Sequence, residues 1–188
     1  EGRRWIMFFQ DSSTNYFATF LASLGAIKAR DLECAFVTMP RRAKMALGVL
    51  AHMTHKDGRQ IRLAPIEYNQ LEPLLRRTKR AAALRHSDEN DASGHSPFPG
   101  NTNAIFVQLS TYVRTLERTA GAVPEFVNPK YADDSRASFT SPTRLECMMQ
   151  DYAWLAGEGS RVGHVEVPPE FGYFPCKNCL RVGSSCVR

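Results

Sequence analysis

The sequence predicts an α/β protein whose mixed, mainly parallel sheet is flanked by helices. Three observations carry this. Two short apolar runs, WIMFF (5–9) and ECAFVTMP (33–40), have the length and continuity of strands buried on both faces. Helical patterns alternate with the extended ones. One tight-turn pair, Asp57-Gly58, sits between two extended arms, which adds a hairpin to the alternation.

Taken in order, residues 5–9 form the first strand, which ends on Gln10 and Asp11. YFATFLASL (16–24) reads as a helix closed by Gly25. The second strand, 33–40, stops at Pro40. The hairpin spans 46–70, and its second arm ends at Glu67. QLEPLLRR (70–77) is helical. A long polar stretch (76–100) follows, and such length inside a compact domain marks either function or disorder. From Asn103, Ile105, Phe106, Leu109, Tyr112, Val113 and Leu116 recur at helical spacing as far as Gly121. EFV (125–127) is a short strand that turns at Pro129. Thr143 and Glu146 have capping-box spacing and open a helix to about Trp154. EVPPEFGYFP (166–175) is extended, since Pro168-Pro169 opposes a helix.

The totals narrow the function. The chain has 188 residues, enough for one domain with a substantial core. Its net charge of +5 suits nucleic acid, acidic membranes or phosphorylated small molecules. The basic cluster RRTKRAAALR (76–85) is expected to be a solvated loop and not a nucleic-acid patch. No apolar run approaches the ~20 residues of a membrane span. Five cysteines without framework spacing argue for a reducing compartment, the cytoplasm. Cys34 and Cys147 read as buried thiols. Cys176, Cys179 and Cys186 with His164 offer a single Cys-x-x-Cys pair, half of what a zinc ribbon needs.

Several polar residues stand where a ligand crevice is expected, beyond the carboxyl ends of strands. Asp11 there can hold a divalent cation that bridges phosphate oxygens, or it can cap the following helix. Glu67 can accept hydrogen bonds from sugar hydroxyls. Gly100, Asn101 and Asn103 precede the expected helix. Each asparagine has both donor and acceptor for hydroxyl recognition, and each is also a good helix cap.

Six segments, MFFQD (7–11), TMPRRAK (38–44), IEYNQLEPLLR (66–76), SPFPGNTN (96–103), EFVNPKY (125–131) and TRLECMMQDY (143–152), resemble the UDP-sugar pyrophosphorylases of broad sugar specificity. The resemblance runs from about residue 5 to about residue 178. It implies a Rossmann-like, GT-A-like nucleotidyltransferase domain. It also implies Mg²⁺-dependent uridylyl transfer from UTP to a sugar 1-phosphate, giving a UDP-sugar and pyrophosphate. On these residues Asp11 resembles the metal-binding acid, Glu67 the acid that contacts the sugar, and Asn101 and Asn103 part of the sugar-facing loop. Lys177 resembles the phosphate-holding lysine. Lys130 matches a family lysine, and equally suits a turn beside Pro129. Glu146 reads as structural.

Three departures accompany the resemblance. No Gly-rich phosphate loop occurs in the sequence, Ser-Ser-Thr-Asn (12–15) replaces the family's Thr-Asn, and residues 179–188 leave the pattern. The expectation is therefore an incomplete catalytic domain over 1–178 with an aberrant or truncated tail over 179–188, inactive alone. Two other readings remain. One is a non-catalytic remnant that binds UDP-sugars or pairs with a full-length subunit. The other is a UDP-N-acetylhexosamine pyrophosphorylase.

Overall fold

A computed structural model describes residues 2–13, 15–54, 57–58, 60–77, 87–127, 131–133, 135, 137–143, 145–157 and 159–176. Lys130, Lys177 and the expected tail over 179–188 lie outside the described residues.

Eight strands are described: β1 Trp5–Phe8, β2 Cys34–Met39, β3 Val49–Thr54, β4 Gln60–Ile66, β5 Gly100–Gln108, β6 Glu125–Val127, β7 Leu145–Cys147 and β8 Val162–Glu166. Five helices accompany them: α1 Tyr16–Ala29, α2 Tyr68–Arg77, α3 Leu109–Thr119, α4 Tyr152–Leu155 and α5 Pro169–Gly172. The main sheet runs β4-β3-β5-β2-β8, with β1 beside β5; β6 and β7 form a separate ribbon.

The mixed sheet with flanking helices is as expected, but it is mostly antiparallel. Among the described strands only β2 and β8 pair in parallel; β5 runs antiparallel to β1, β2 and β3. The reason lies in β5, which the helical reading of 103–116 conceals. AIFV (104–107) is a continuous apolar run and satisfies a period of 3.6 as readily as a strand pattern. Ala104 and Phe106 face one side, with Ala35 and Val37 of β2 and with Tyr16 and Ile27 of α1. Ile105 and Val107 face the other, with Cys34, Phe36, Leu50, Leu63 and Tyr152. Only a central strand places neighbouring residues in two opposite cores. The genuine helix, α3, begins at Leu109.

Three further boundaries move. α1 continues past Gly25 to Ala29, because Ile27 is fully buried. Burying Ile is worth about 1.5–3 kcal/mol against ~1 kcal/mol for a helical glycine. Leu145–Cys147 is strand and not helix, held by Val127↔Leu145 and Glu125↔Cys147; helix starts only at the 3-10 turn Met149–Asp151. Pro169 opens α5 instead of preventing it, since the first helical turn needs no amide donor from that residue. β1 is half-buried along its length, because β5 alone pairs with it.

One feature of β5 prepares the site. Its register on β2 passes from Val37↔Ala104 to Thr38↔Asn101, so Thr102 and Asn103 bulge out of the ladder. On the other edge β1 takes residues 105–108 and β3 takes only Gly100. The strand ends of β1, β2, β4 and β8 and the start of β5 therefore meet at one end of the sheet.

Candidate active site

Three of the expected residues meet at that end. Asn101 and Asn103 flank Thr102, which is tied inward: its hydroxyl donates to the carbonyl of Val37 (2.7 Å) and its own carbonyl accepts the Tyr16 hydroxyl. Both asparagine side chains line the crevice. Asn103 adopts φ 63°, a left-handed conformation that Asn tolerates better than most residues. Neither asparagine caps a helix; the N-cap position of α3 is Gln108, whose side chain makes no capping hydrogen bond.

Glu67 follows the end of β4, and its carbonyl receives the amides of Gln70 and Leu71 at the start of α2. Gly48 lies between the elements. Its carbonyl accepts the Asn101 amide at 2.8 Å, and a β-carbon there would stand 3.9 Å from Glu67 Oε1. Gly48, Glu67, Tyr68, Asn101, Asn103, Gln150 and Tyr173 line a cavity of about 130 Å³. Sharing Glu67 and Tyr68, an open cleft of about 760 Å³ extends to Phe126, Tyr131, Glu146 and Trp154.

The amides form a directional chain. Asn101 Nδ2 donates to Gln150 Oε1, and Gln150 Nε2 donates to Asn103 Oδ1. Asn103 Nδ2 donates to Gln10 Oε1 (3.1 Å), which also accepts the Tyr173 hydroxyl (3.2 Å). Gln150, Gln10 and Tyr173 were missed as site residues. Gln150 stands inside the specific segment TRLECMMQDY, so a signal existed for it; nothing local marks Tyr173.

Asp11 occupies the turn after Gln10 and is exposed; it does not line the cavity. The N-cap of α1 is Asn15, so Asp11 does not cap that helix. Gly100 lies beneath the site. It pairs with Met39 and Val49, where a β-carbon would meet Leu47 Cδ2 at 2.5 Å. Its place is a packing junction. Below it, buried Asp88 accepts from Arg41 Nη2 (2.7 Å), Ser96 Oγ (2.6 Å) and the amide of Lys44 (2.7 Å). Burial alone would raise the pKa of Asp88, but these bonds outweigh it and hold the carboxyl below its usual range. Asp151 goes the other way: burial raises its pKa, and the charge of Glu67 adds to the rise. His164 bonds to the Thr38 hydroxyl at 2.9 Å. Among the described residues no group of three His, Cys, Asp or Glu side chains is placed to hold a metal; Cys179 and Cys186 lie outside them. Also among the described residues, no helix is long and apolar enough to cross a membrane.

Known proteins place this arrangement. A UDP-sugar pyrophosphorylase of Arabidopsis thaliana is 42% identical over 177 residues, covering 94% of this chain and 28% of the relative. One from Oryza sativa subsp. indica is 40% identical over the same shares. The chain is a homologue of one segment of the UDP-sugar pyrophosphorylases. It spans little more than a quarter of the length of these relatives. No protein-family model matches it. Among solved structures, the uridine diphosphate N-acetylglucosamine pyrophosphorylase of Trypanosoma brucei superposes with a TM-score of 0.68 at 14% identity, covering 95% of this chain and 32% of that one. A UDP-glucose pyrophosphorylase of Leishmania major gives 0.59 at 19%, covering 95% and 36%. At these identities the likeness establishes the fold alone. The chain thus shares the fold of these solved structures, with Glu67, Asn101 and Asn103 gathered at the end of the sheet where β4 finishes and β5 begins.

Proposed function

We propose that this chain supplies the sugar-facing part of a cytoplasmic uridylyltransferase that joins a sugar 1-phosphate to UTP. The observation that carries the reading is the convergence of Glu67, Asn101 and Asn103 on one polar cavity, in a chain 40–42% identical to UDP-sugar pyrophosphorylases. A carboxylate and several amides offer the mixed acceptors and donors that sugar hydroxyls require. Gln150 and Gln10 hold the two asparagine amides in one orientation, which lowers the ordering cost of binding.

In the reaction a phosphate oxygen of the sugar 1-phosphate attacks the α-phosphorus of UTP. The bond from that phosphorus to the oxygen bridging to the β-phosphate breaks, and pyrophosphate leaves with the electron pair. Two polyanions must approach, so positioning and charge neutralisation dominate the catalysis. This chain's part is to fix the sugar by Glu67, Asn101 and Asn103, with Lys177 and Lys130 compensating phosphate charge. Asp11 fits Mg²⁺, which takes one or two carboxylates and completes its shell with phosphates and water. An exposed carboxylate that does not cap the adjacent helix is available for that role. When bound, Mg²⁺ would neutralise phosphate charge.

A second reading is sugar-nucleotide binding without turnover: the cavity residues Glu67, Asn101 and Asn103 can hold hydroxyls, and none of them supplies positive charge for phosphates. Two measurements test both. Calorimetry of the 188-residue chain with UDP-glucose should show binding that Glu67→Gln and Asn103→Ala weaken. Placed in the Arabidopsis relative in lieu of its matched segment, the chain should support Mg²⁺-dependent pyrophosphate release from UTP and glucose 1-phosphate. Binding without release in that setting selects the second reading, and neither binding nor release overturns both.

A further inference from the structure

One main-chain group fixes the polarity of the amide chain in the cavity. The Asn103 amide donates to Asn101 Oδ1 at 3.1 Å, and a backbone N–H can only donate. Asn101 therefore turns its nitrogen to Gln150, whose oxygen accepts it. The Gln150 nitrogen is left to donate to Asn103 Oδ1, and Asn103 Nδ2 to donate to Gln10 Oε1 at 3.1 Å. Gln10 thus presents an oxygen to Tyr173. An amide oxygen cannot donate, so the Tyr173 hydroxyl gives its proton to it at 3.2 Å. Five side chains take their orientation from one backbone donor.

Tyr173 ends this chain and lines the cavity. It is held from both sides. The Phe174 amide donates to Ser13 Oγ at 3.4 Å, and the Cys176 amide to the Ser12 carbonyl at 2.8 Å. The Tyr173 ring packs on the core that contains Tyr16, Val37 and Ala104. With its proton committed to Gln10, the phenol oxygen has only acceptor capacity left for the cavity. The asparagines differ, since each Nδ2 gives one hydrogen to the chain and keeps a second.

We propose that Tyr173 is a specificity-determining residue of the sugar cavity, whose phenol oxygen accepts a hydrogen bond from one sugar hydroxyl. This rests on the sugar-binding reading of the cavity and assigns Tyr173 a part in it. An acceptor held at a fixed point favours a ligand with a hydroxyl there and disfavours one that lacks it, because its oxygen is then left unpaired. The anchored strap and the oriented amides set that point before the ligand arrives.

The test is calorimetry of the 188-residue chain and of Tyr173→Phe, which keeps the ring and removes the oxygen. The ligands are UDP-glucose and a set of UDP-deoxyglucoses, each lacking a different hydroxyl. Tyr173→Phe should weaken UDP-glucose binding about threefold to tenfold, the scale of one net hydrogen bond. The loss should vanish with one deoxy sugar, the one that lacks the hydroxyl facing Tyr173. An equal loss with every ligand would make Tyr173 a packing residue and overturn the proposal. No loss with UDP-glucose, while Glu67→Gln still weakens it, overturns the proposal and leaves the sugar reading standing. No UDP-glucose binding by the parent chain overturns both. A measurement without ligand reads the polarity itself. Gln10 enters the amide chain through its oxygen alone, so Gln10→Glu preserves both of its bonds, whereas Gln150→Glu and Asn103→Asp each lose a donor. Gln10→Glu should melt above the other two, and any other order overturns the proposal.

Discussion

Replacing Asp88 by alanine should be among the most damaging single changes in this protein. Asp88 is 3% exposed and Arg41 1%. The carboxylate accepts from both terminal nitrogens of Arg41 at 3.2 and 2.7 Å, from Ser96 Oγ and from the Lys44 amide. Without it the guanidinium keeps the Met45 carbonyl (3.3 Å) as its described acceptor while staying out of water. Breaking a buried pair in this way costs about 3–5 kcal/mol, out of a total of about 5–15 kcal/mol. In urea, with a slope of about 2 kcal/mol/M, the unfolding midpoint should fall by about 2 M. The pH dependence gives an independent check. A carboxyl whose folded pKa is depressed contributes stability above its unfolded pKa of about 3.9, and loses it as pH falls through the folded value. The acid limb of the stability curve should therefore be shallower in Asp88→Ala. A midpoint drop below about 0.5 M, the scale of a surface ion pair, would refute the reasoning.

Three other outcomes are expected. Gly100→Ala sets a β-carbon 2.5 Å from Leu47 Cδ2 and 3.3 Å from Arg41 Cβ, and overpacking of this kind costs about 1–3 kcal/mol. Calorimetry should show a melting temperature about 2–10 °C lower, and an unchanged one would mean that the Leu47 loop yields freely. Asp151→Asn has the opposite pH signature to Asp88. The folded pKa of Asp151 is raised, so its contribution is fully present below the unfolded pKa and lost as pH rises through the folded one. The variant should be at least as stable as the parent at pH 7, and a marked loss there would show that the charged form is the favoured one. Gln150→Ala removes the donor to Asn103 and the acceptor from Asn101, and should weaken UDP-glucose binding about tenfold in calorimetry, the scale of one net hydrogen bond. Unaltered affinity would place the asparagines outside the sugar site.

Part of the candidate site was legible because its residues stand at strand ends or in segments with a family signature. Glu67, Asn101 and Asn103 proved to share a cavity. Their setting was not legible. The asparagines were expected ahead of a helix, and they lie on a bulged strand, since nothing local to 104–107 distinguishes a central strand from a buried helical turn. The Thr143 and Glu146 spacing misled for a related reason. A capping pattern is a local preference, and it yielded to pairing with β6 some twenty residues earlier in the chain.

By itself the sequence determined the features that a few consecutive residues encode. β2, from Cys34 to Met39, is buried at every position; β3 and β4 pair as the Asp57-Gly58 hairpin required; and the resemblance to UDP-sugar pyrophosphorylases is matched by 40–42% identity over 177 residues. Tertiary structure alone decided the direction of β5, the sharing of its edge between β1 and β3, and the amide chain of the site. That chain joins Gln150 to Asn103 across 47 positions, Asn103 to Gln10 across 93, and Tyr173 to Gln10 across 163. Periodicity and turn chemistry act over a few residues. The partner of a strand edge or of a side-chain amide is chosen by whichever distant groups the packed core brings within hydrogen-bond reach.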